Sequence, residues 1–187
     1  MPNTLVIYTH PDEFNSRTSA RLAAVADDHS HTQVRRLYDL YPRFNIDRSA
    51  EQQALEQAEH VVLLFPVYWY SAPSLLKEWI DVVLEHGWAF GTGGTALSGK
   101  TLQLAVTTGS KVEDYQADGR HNFTLEEFLR PFEQTARLCH MTWREAFWVP
   151  GTHGMSASAL AERRSAFGDM LTANGSALAG DSRYERC

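Results

Sequence analysis

Val61–Phe90, VVLLFPVYWYSAPSLLKEWIDVVLEHGWAF, passes from a continuous apolar run through a cluster of aromatics to an amphipathic pattern and a glycine-aromatic loop. Val61–Phe65 is short, rich in β-branched residues and closed by Pro66, which predicts a strand buried on both faces of a parallel sheet. Pro66, Val67, Tyr68, Trp69 and Tyr70 then follow at its carboxyl end, where open α/β sheets bind their ligands. Aromatics at such a mouth suit a flat, electron-poor ring better than a sugar or a metal; taken alone, they are as well explained as core or interface residues.

Outward from this stretch, strand and helix patterns alternate. Leu5–Tyr8 reads as a first strand, and Ser16 opens a helix with hydroxyls where caps are favoured. Gln33–Leu37 reads as a second strand. Asp47 or Ser49 caps a helix whose Ala50, Ala54, Leu55 and Ala58 share a face. Pro73–Leu84 is the helix after the third strand, and Thr101–Thr107 (TLQLAVT) the fourth strand. Thr124 and Glu127 have capping-box spacing before a helix with a kink or restart at Pro131. Thr142–Val149 is a fifth strand and Ser156–Asn174 a last helix, with Asn174-Gly175 as its stop. The expectation is a three-layer α/β fold on a doubly wound, five-stranded parallel sheet. Residues 1–175 form the domain and 176–187 a polar, mobile tail.

With 187 residues, 43% hydrophobic and 21% charged, the chain is long enough for a substantial core. A net charge of −6 argues against nucleic acid as a partner. No apolar run approaches a membrane span, and MPNTLVIYTH enters a strand at once rather than forming a signal peptide. Cys139 and Cys187 are too isolated for a disulfide framework or a metal site, so a cytoplasmic protein without a bound metal is expected.

Gly94–Thr101 (GTALSGKT) fits the phosphate-loop pattern letter for letter. That loop requires a strand before it and a helix after it, so that the helix terminus faces the phosphates. Here an aromatic loop precedes it and a strand follows, so the match is rejected as a turn feeding a strand.

If the sheet is doubly wound, three loops converge at its carboxyl edge. The first, His10 to Ser19, lacks the glycines of a dinucleotide fingerprint but offers Ser16, Arg17, Thr18 and Ser19 at a helix start, suitable for a terminal phosphate. The second is Val67–Tyr70. The third is Thr107-Thr108-Gly109-Ser110, whose small residues let backbone amides approach a ring edge. Beyond it lie Tyr115 and His121, proton-handling side chains in a loop; individually, each is also consistent with a plain surface residue.

The chain resembles the flavodoxin-like NAD(P)H:quinone oxidoreductases, most closely the ancillary oxidoreductases of glutathione-regulated potassium-efflux antiporters. The resemblance rests on Thr9-His10-Pro11 with Ser16, Leu40-Tyr41-Pro42 with Phe44-Asn45-Ile46-Asp47, and Pro66 with Trp69-Tyr70-Ser71. It continues through Leu76 to Lys100, including His86-Gly87-Trp88-Ala89-Phe90-Gly91, then Thr107-Thr108-Gly109 and Phe123–Phe128. It implies a homodimer with FMN at each site: His10 and Ser16–Ser19 in the phosphate region, Pro66–Tyr70 and Thr107–Ser110 around the isoalloxazine, Tyr115 and His121 beside it. Ser19 stands where relatives often carry asparagine, and Ser110 where they carry a second glycine. The implied reaction takes hydride from NADPH or NADH and reduces a quinone-like acceptor by ping-pong exchange at one place. The same likeness implies a rival role, a regulatory subunit docked on a potassium-efflux antiporter at the inner membrane; a flavodoxin-type electron carrier is a third option, disfavoured by the aromatic cover and the long helix after the third strand. It also suggests that Trp88, Phe90 and part of the Trp79 helix face a second subunit.

Overall fold

The structure, a computed structural model, describes residues 4–176. The strands are β1 (Thr4–Tyr8), β2 (Thr32–Arg36), β3 (His60–Pro66), β4 (Thr101–Thr107), β5 (Thr142–Trp143) and β6 (Phe147–Val149). The helices are α1 (Ser19–Asp28), the single turn α2 (Leu37–Leu40), α3 (Arg48–Gln57), α4 (Ser74–Val83), α5 (Leu125–Leu138) and α6 (Ala157–Ser176). All strand pairs are parallel, in the order β2-β1-β3-β4-β5, with β6 also on β4. The expected fifth strand is thus present in two pieces, interrupted over 144–146, both hydrogen-bonded to β4.

Period-two alternation sends each central strand's residues to two different cores. Leu5, Ile7, Val61, Leu63, Phe65, Leu104 and Val106 face α3, α4 and α5, together with Leu55, Trp79 and Phe132. Val6, Tyr8, Val62, Leu64 and Ala105 face α1 and α6, through Leu22, Ala26, Phe167 and Leu171. Burial on both sides explains why β1 and β3 read as unbroken apolar runs.

Three local expectations are modified. The helix after β1 begins at Ser19 with Thr18 at the cap position, yet Ser16 Oγ still accepts the Ala20 N–H at 3.0 Å. The Thr124–Glu127 capping box is formed in both directions, and α5 runs through Pro131 without restarting. α6 continues past Asn174 to Ser176. The tail anticipated after α6 lies, from residue 177 on, outside the described residues.

α4 spends most of its apolar face inside its own chain: Leu75, Leu76, Trp79 and Val83 are all buried and Ile80 is half-buried. Trp79 Nε1 donates to Glu51 Oε2 at 2.9 Å. Glu51, fully buried, also accepts from Tyr41 Oη at 2.5 Å and from Arg35 at 2.5 and 2.8 Å. Lys100, the lysine of the rejected phosphate-loop match, clamps backbone oxygens instead: its Nζ donates to Glu56 O at 3.0 Å and Ala58 O at 2.5 Å. It enters β4 at the amino-terminal edge, and burial lowers its pKa. Trp88 lies in the same region, donating to Glu56 Oε1 at 2.9 Å.

Candidate functional site

The order β2-β1-β3-β4 places the change of winding direction between β1 and β3, and the crevice opens beyond their carboxyl ends. Backbone pairing carried past the strand ends draws the loops together. Thr9 N donates to Leu64 O (2.9 Å), Val67 N to Thr107 O (2.9 Å), and Thr108 N to Val149 O (3.0 Å). Thr152 N then returns to Thr108 O at 3.0 Å, adding a fourth loop, after β6, that sequence reasoning missed. Its signal was available, because Pro150-Gly151-Thr152-His153 follows a strand just as the other three loops do.

Two adjoining lobes result, of about 680 and 710 Å³, in the range typical of small-molecule sites. The first holds His10, Ser16, Arg17, Thr18 and Ser19 at the head of α1, with Pro66, Val67, Tyr68, Trp69, Thr107 and Gly109 opposite them. The second is lined by Val67, Trp69, Tyr70, Gly109 and Ser110 together with Lys111, Tyr115, Arg120 and His121. His153 lines both lobes. Its ring lies so close to Gly109 that a Cβ there would meet His153 Nε2 at 2.4 Å, so a side chain at 109 would push the exposed imidazole aside. Asp12, Asn15, Lys111, Asp114, Arg120, Thr152 and His153 are the lining residues not anticipated.

Thr108 is the one anticipated residue that lines neither lobe. It is buried, accepts from Trp148 Nε1 at 3.0 Å and donates to Ser110 O at 3.0 Å, holding the loop from beneath. Ser19 lines the first lobe but is itself engaged, Oγ to Thr107 Oγ1 at 2.9 Å, tying α1 to β4.

The chemistry of the two lobes differs. At the first, α1 presents its amino terminus with no acidic residue in its first turn, beside Arg17 and two hydroxyls, while Asp12, the carboxylate lining the same lobe, accepts from Asn15 Nδ2 at 2.7 Å. Half-burial lowers the pKa of His10. At the second, Tyr115 and His121 pack with ring centroids 4.5 Å apart. His121 Nε2 bonds Ser110 Oγ at 2.9 Å, while its Nδ1 is buried without a partner. A buried imidazole nitrogen left unsatisfied beside a cavity is what a bound polar ring edge would complete. Burial raises the pKa of Tyr115 further above neutrality than that of an ordinary phenol.

The aromatic wall is built at a conformational cost. Tyr68 and Ser71 exchange both backbone hydrogen bonds (2.9 and 3.0 Å) around Trp69 and Tyr70, whose φ values are +49° and +63°. Two positive φ values make a turn that normally takes asparagine and glycine. Trp69 is 93% exposed, whereas Tyr70 stacks on Phe128 at 4.8 Å. Phe14, in the loop between β1 and α1, is 99% exposed.

A parallel sheet in this order, with a four-loop crevice at its reversal point, defines the doubly wound α/β class whose members hold their ligand outside the strand ends. The chain belongs to the family described as Flavodoxin-like fold, which matches residues 2–171. It is 46% identical over 153 residues to an uncharacterized NAD(P)H oxidoreductase, YrkL, of Bacillus subtilis (strain 168), covering 82% of this chain and 88% of that one. The glutathione-regulated potassium-efflux system ancillary protein KefG of Serratia proteamaculans (strain 568) is 39% identical over 170 residues, covering 91% and 93%. Among solved structures, general stress protein 14 of Treponema denticola, in complex with FMN, superposes with a TM-score of 0.85 at 37% identity, covering 94% of this chain and 99% of that one. An NADPH-quinone reductase from P. pentosaceus superposes at 0.83 and 31% identity, covering 90% and 97%.

Proposed function

We propose that the chain is an FMN-dependent NAD(P)H:quinone oxidoreductase, with residues 1–175 as the FMN-binding domain and a homodimer as the working form. The observation that carries the reading is the joining of an anion-receiving helix terminus to an aromatic-walled lobe containing paired proton-handling side chains. The likeness to a protein solved with FMN and to a named NADPH-quinone reductase supports it.

Ser16, Arg17 and Thr18 receive the FMN phosphate, and the positive end of α1 contributes roughly 0.3–1 kcal/mol to holding it. The segments Pro66–Tyr70 and Thr107–Ser110 flank the ring, with Gly109 admitting close approach. FMN, when bound, supplies the ring that accepts a hydride from NAD(P)H and returns two electrons to the acceptor. Tyr115 donates a hydrogen bond or proton from its neutral phenol, and His121, fixed by Ser110, holds or releases a proton at Nδ1. NAD(P)H, one proton and a quinone enter; NAD(P)+ and a hydroquinone leave. Both co-substrates use the second lobe in turn, which gives ping-pong kinetics. The exposed Trp69 at the crevice, with the exposed Phe14 in the loop after β1, supports a second copy covering the site.

The purified protein is expected to be yellow and to release FMN on denaturation. Tyr115→Phe with His121→Ala is expected to lower turnover while the flavin stays bound. A preparation that stays colourless after incubation with FMN refutes the reading, and a monomer in light scattering at micromolar concentration refutes the homodimer.

A second role is favoured by the likeness to KefG: an ancillary subunit of a potassium-efflux antiporter, placed in the cytoplasm at the inner-membrane surface. No helix among the described residues is long and apolar enough to cross a membrane. Co-purification with the antiporter's cytosolic domain tests this role. A stable one-electron state on reductive titration would instead favour an electron carrier.

A further inference from the structure

The first lobe has its own anion site at the head of α1, so a cofactor phosphate seated there leaves the cations of the second lobe unclaimed. Those cations are Lys111 and Arg120, and neither enters an ion pair among the described residues. Asp114, the carboxylate lining the same lobe, is committed locally: its Oδ2 accepts the Lys111 N–H at 3.0 Å. The segment that carries them is closed on itself. Tyr115 N donates to Val112 O (3.0 Å), Gly119 N to Gln116 O (3.0 Å) and His121 N to Asp114 O (2.9 Å). A Cβ at Gly119 would lie 2.6 Å from Glu113 O and 2.7 Å from Asp114 O, so a side chain there would force the loop open. Lys111 and Arg120 are therefore held at the two ends of a fixed loop, on the rim of the lobe that contains Tyr115 and His121.

The lining of this lobe thus holds two cations against the single carboxylate of Asp114, in a chain of net −6. A concave site with an excess of one sign draws in ligands of the other and raises their local concentration. Guanidinium and ammonium groups at such a rim match phosphate oxygens, the guanidinium through paired donors. We infer that Lys111 and Arg120 form an anion-recognising wall of the second lobe that holds the phosphates of the nicotinamide dinucleotide. The inference rests on the reductase reading above. It assigns the wall a discriminating role between the two co-substrates that share the lobe: the dinucleotide carries phosphates and a simple quinone carries none. A quinone bearing a sulfonate would present the same chemistry from a different source.

The test uses the FMN-loaded protein and its Lys111→Gln and Arg120→Gln variants. NADP+, which does not react with the oxidised protein, is titrated in by calorimetry. KM is measured for NADPH, for neutral 1,4-benzoquinone and for anthraquinone-2-sulfonate. Each variant is expected to weaken NADP+ binding about 5–10-fold, as for a partly exposed charge-assisted bond, with KM for NADPH rising in parallel. KM for benzoquinone is expected to stay put. Raising salt from 50 to 200 mM should weaken NADP+ binding to the parent protein more than to either variant. Unchanged NADP+ affinity in both variants, with no salt dependence, overturns the wall. A change confined to anthraquinone-2-sulfonate overturns the dinucleotide assignment in favour of an anionic acceptor. Failure to take up FMN at all overturns the reductase reading instead, before either variant is made.

Discussion

Replacing Trp69 by asparagine should make the flavin-free protein more stable and a poorer flavin binder. Trp69 holds φ +49°, where a bulky L-residue is disfavoured by about 1–2 kcal/mol. Asparagine tolerates that region far better, through its short polar side chain. With 93% of Trp69 exposed, the substitution removes almost no packing that could offset the relief. A gain of about 1 kcal/mol corresponds to a Tm rise of about 2–4 °C for a chain of this size. Trp69 also lines both lobes, so the same change strips aromatic surface from the proposed ring site. Losing an aromatic contact worth about 1 kcal/mol weakens FMN about 5-fold. The assays are thermal denaturation of flavin-free protein followed by circular dichroism, and FMN titration followed by quenching of its fluorescence. A lower Tm for Trp69→Asn without flavin refutes the argument, because it means the indole is stabilising rather than strained.

Burial pushes the Tyr8 hydroxyl up to about 12, whereas an unfolded tyrosine ionises near 10. The unfolded chain loses that proton first as pH rises, so this group's contribution to stability falls between about pH 10 and 12, by about 1.4 kcal/mol at pH 11. Tyr8→Phe should flatten the alkaline limb of stability measured by urea unfolding at pH 8 and 11; an unchanged slope contradicts it. Lys100→Met should cost about 1–3 kcal/mol through loss of its bonds to Glu56 O and Ala58 O. The same variant should leave FMN affinity alone, and a loss of FMN affinity would restore a ligand role for Lys100. Glu51→Ala leaves Arg35, Tyr41 and Trp79 without their shared acceptor and should destabilise by about 3–5 kcal/mol. A urea midpoint within error of the parent would show that the buried carboxylate is dispensable.

Most of the fold was legible because the central strands are buried on both faces. Val61–Phe65 and Leu5–Tyr8 need apolar residues at every position, and a run of that kind bounded by Pro66 or by a polar loop has few other readings. The capping box at Thr124 and Glu127 was equally plain, since its spacing encodes its geometry. The break in the last strand was not legible. Its pieces are short and flank Arg144-Glu145-Ala146, and pairing with β4 rather than local pattern keeps them in the sheet.

At the site, the loops after β1, β3 and β4 could be anticipated from topology alone, because a switch point gathers strand ends regardless of loop sequence. Residue by residue the reading was coarser. Thr108 has the composition of a contact residue but turns inward to Trp148, a partner 40 positions away that no local pattern reveals. Lys111, Arg120 and His153 carry no local pattern that marks a site; only the closure of their loops brings them to the crevice. Ser110, read as a departure from a glycine, proves to hold His121 by its hydroxyl.

The interrupted strand has a bearing on how copies of this chain can associate. A sheet is most easily extended where a margin offers an unbroken row of free amides and carbonyls. At one margin β5 and β6 are two and three residues long, and Gln103 Nε2 reaches across the gap to Glu145 O at 2.8 Å. At the other, β2 ends in Arg35 and Arg36, each tethered to acidic groups of its own chain. Neither flank is a template for another molecule's backbone, so self-assembly is steered away from fibre-like growth and toward contact through helices and the aromatic rim.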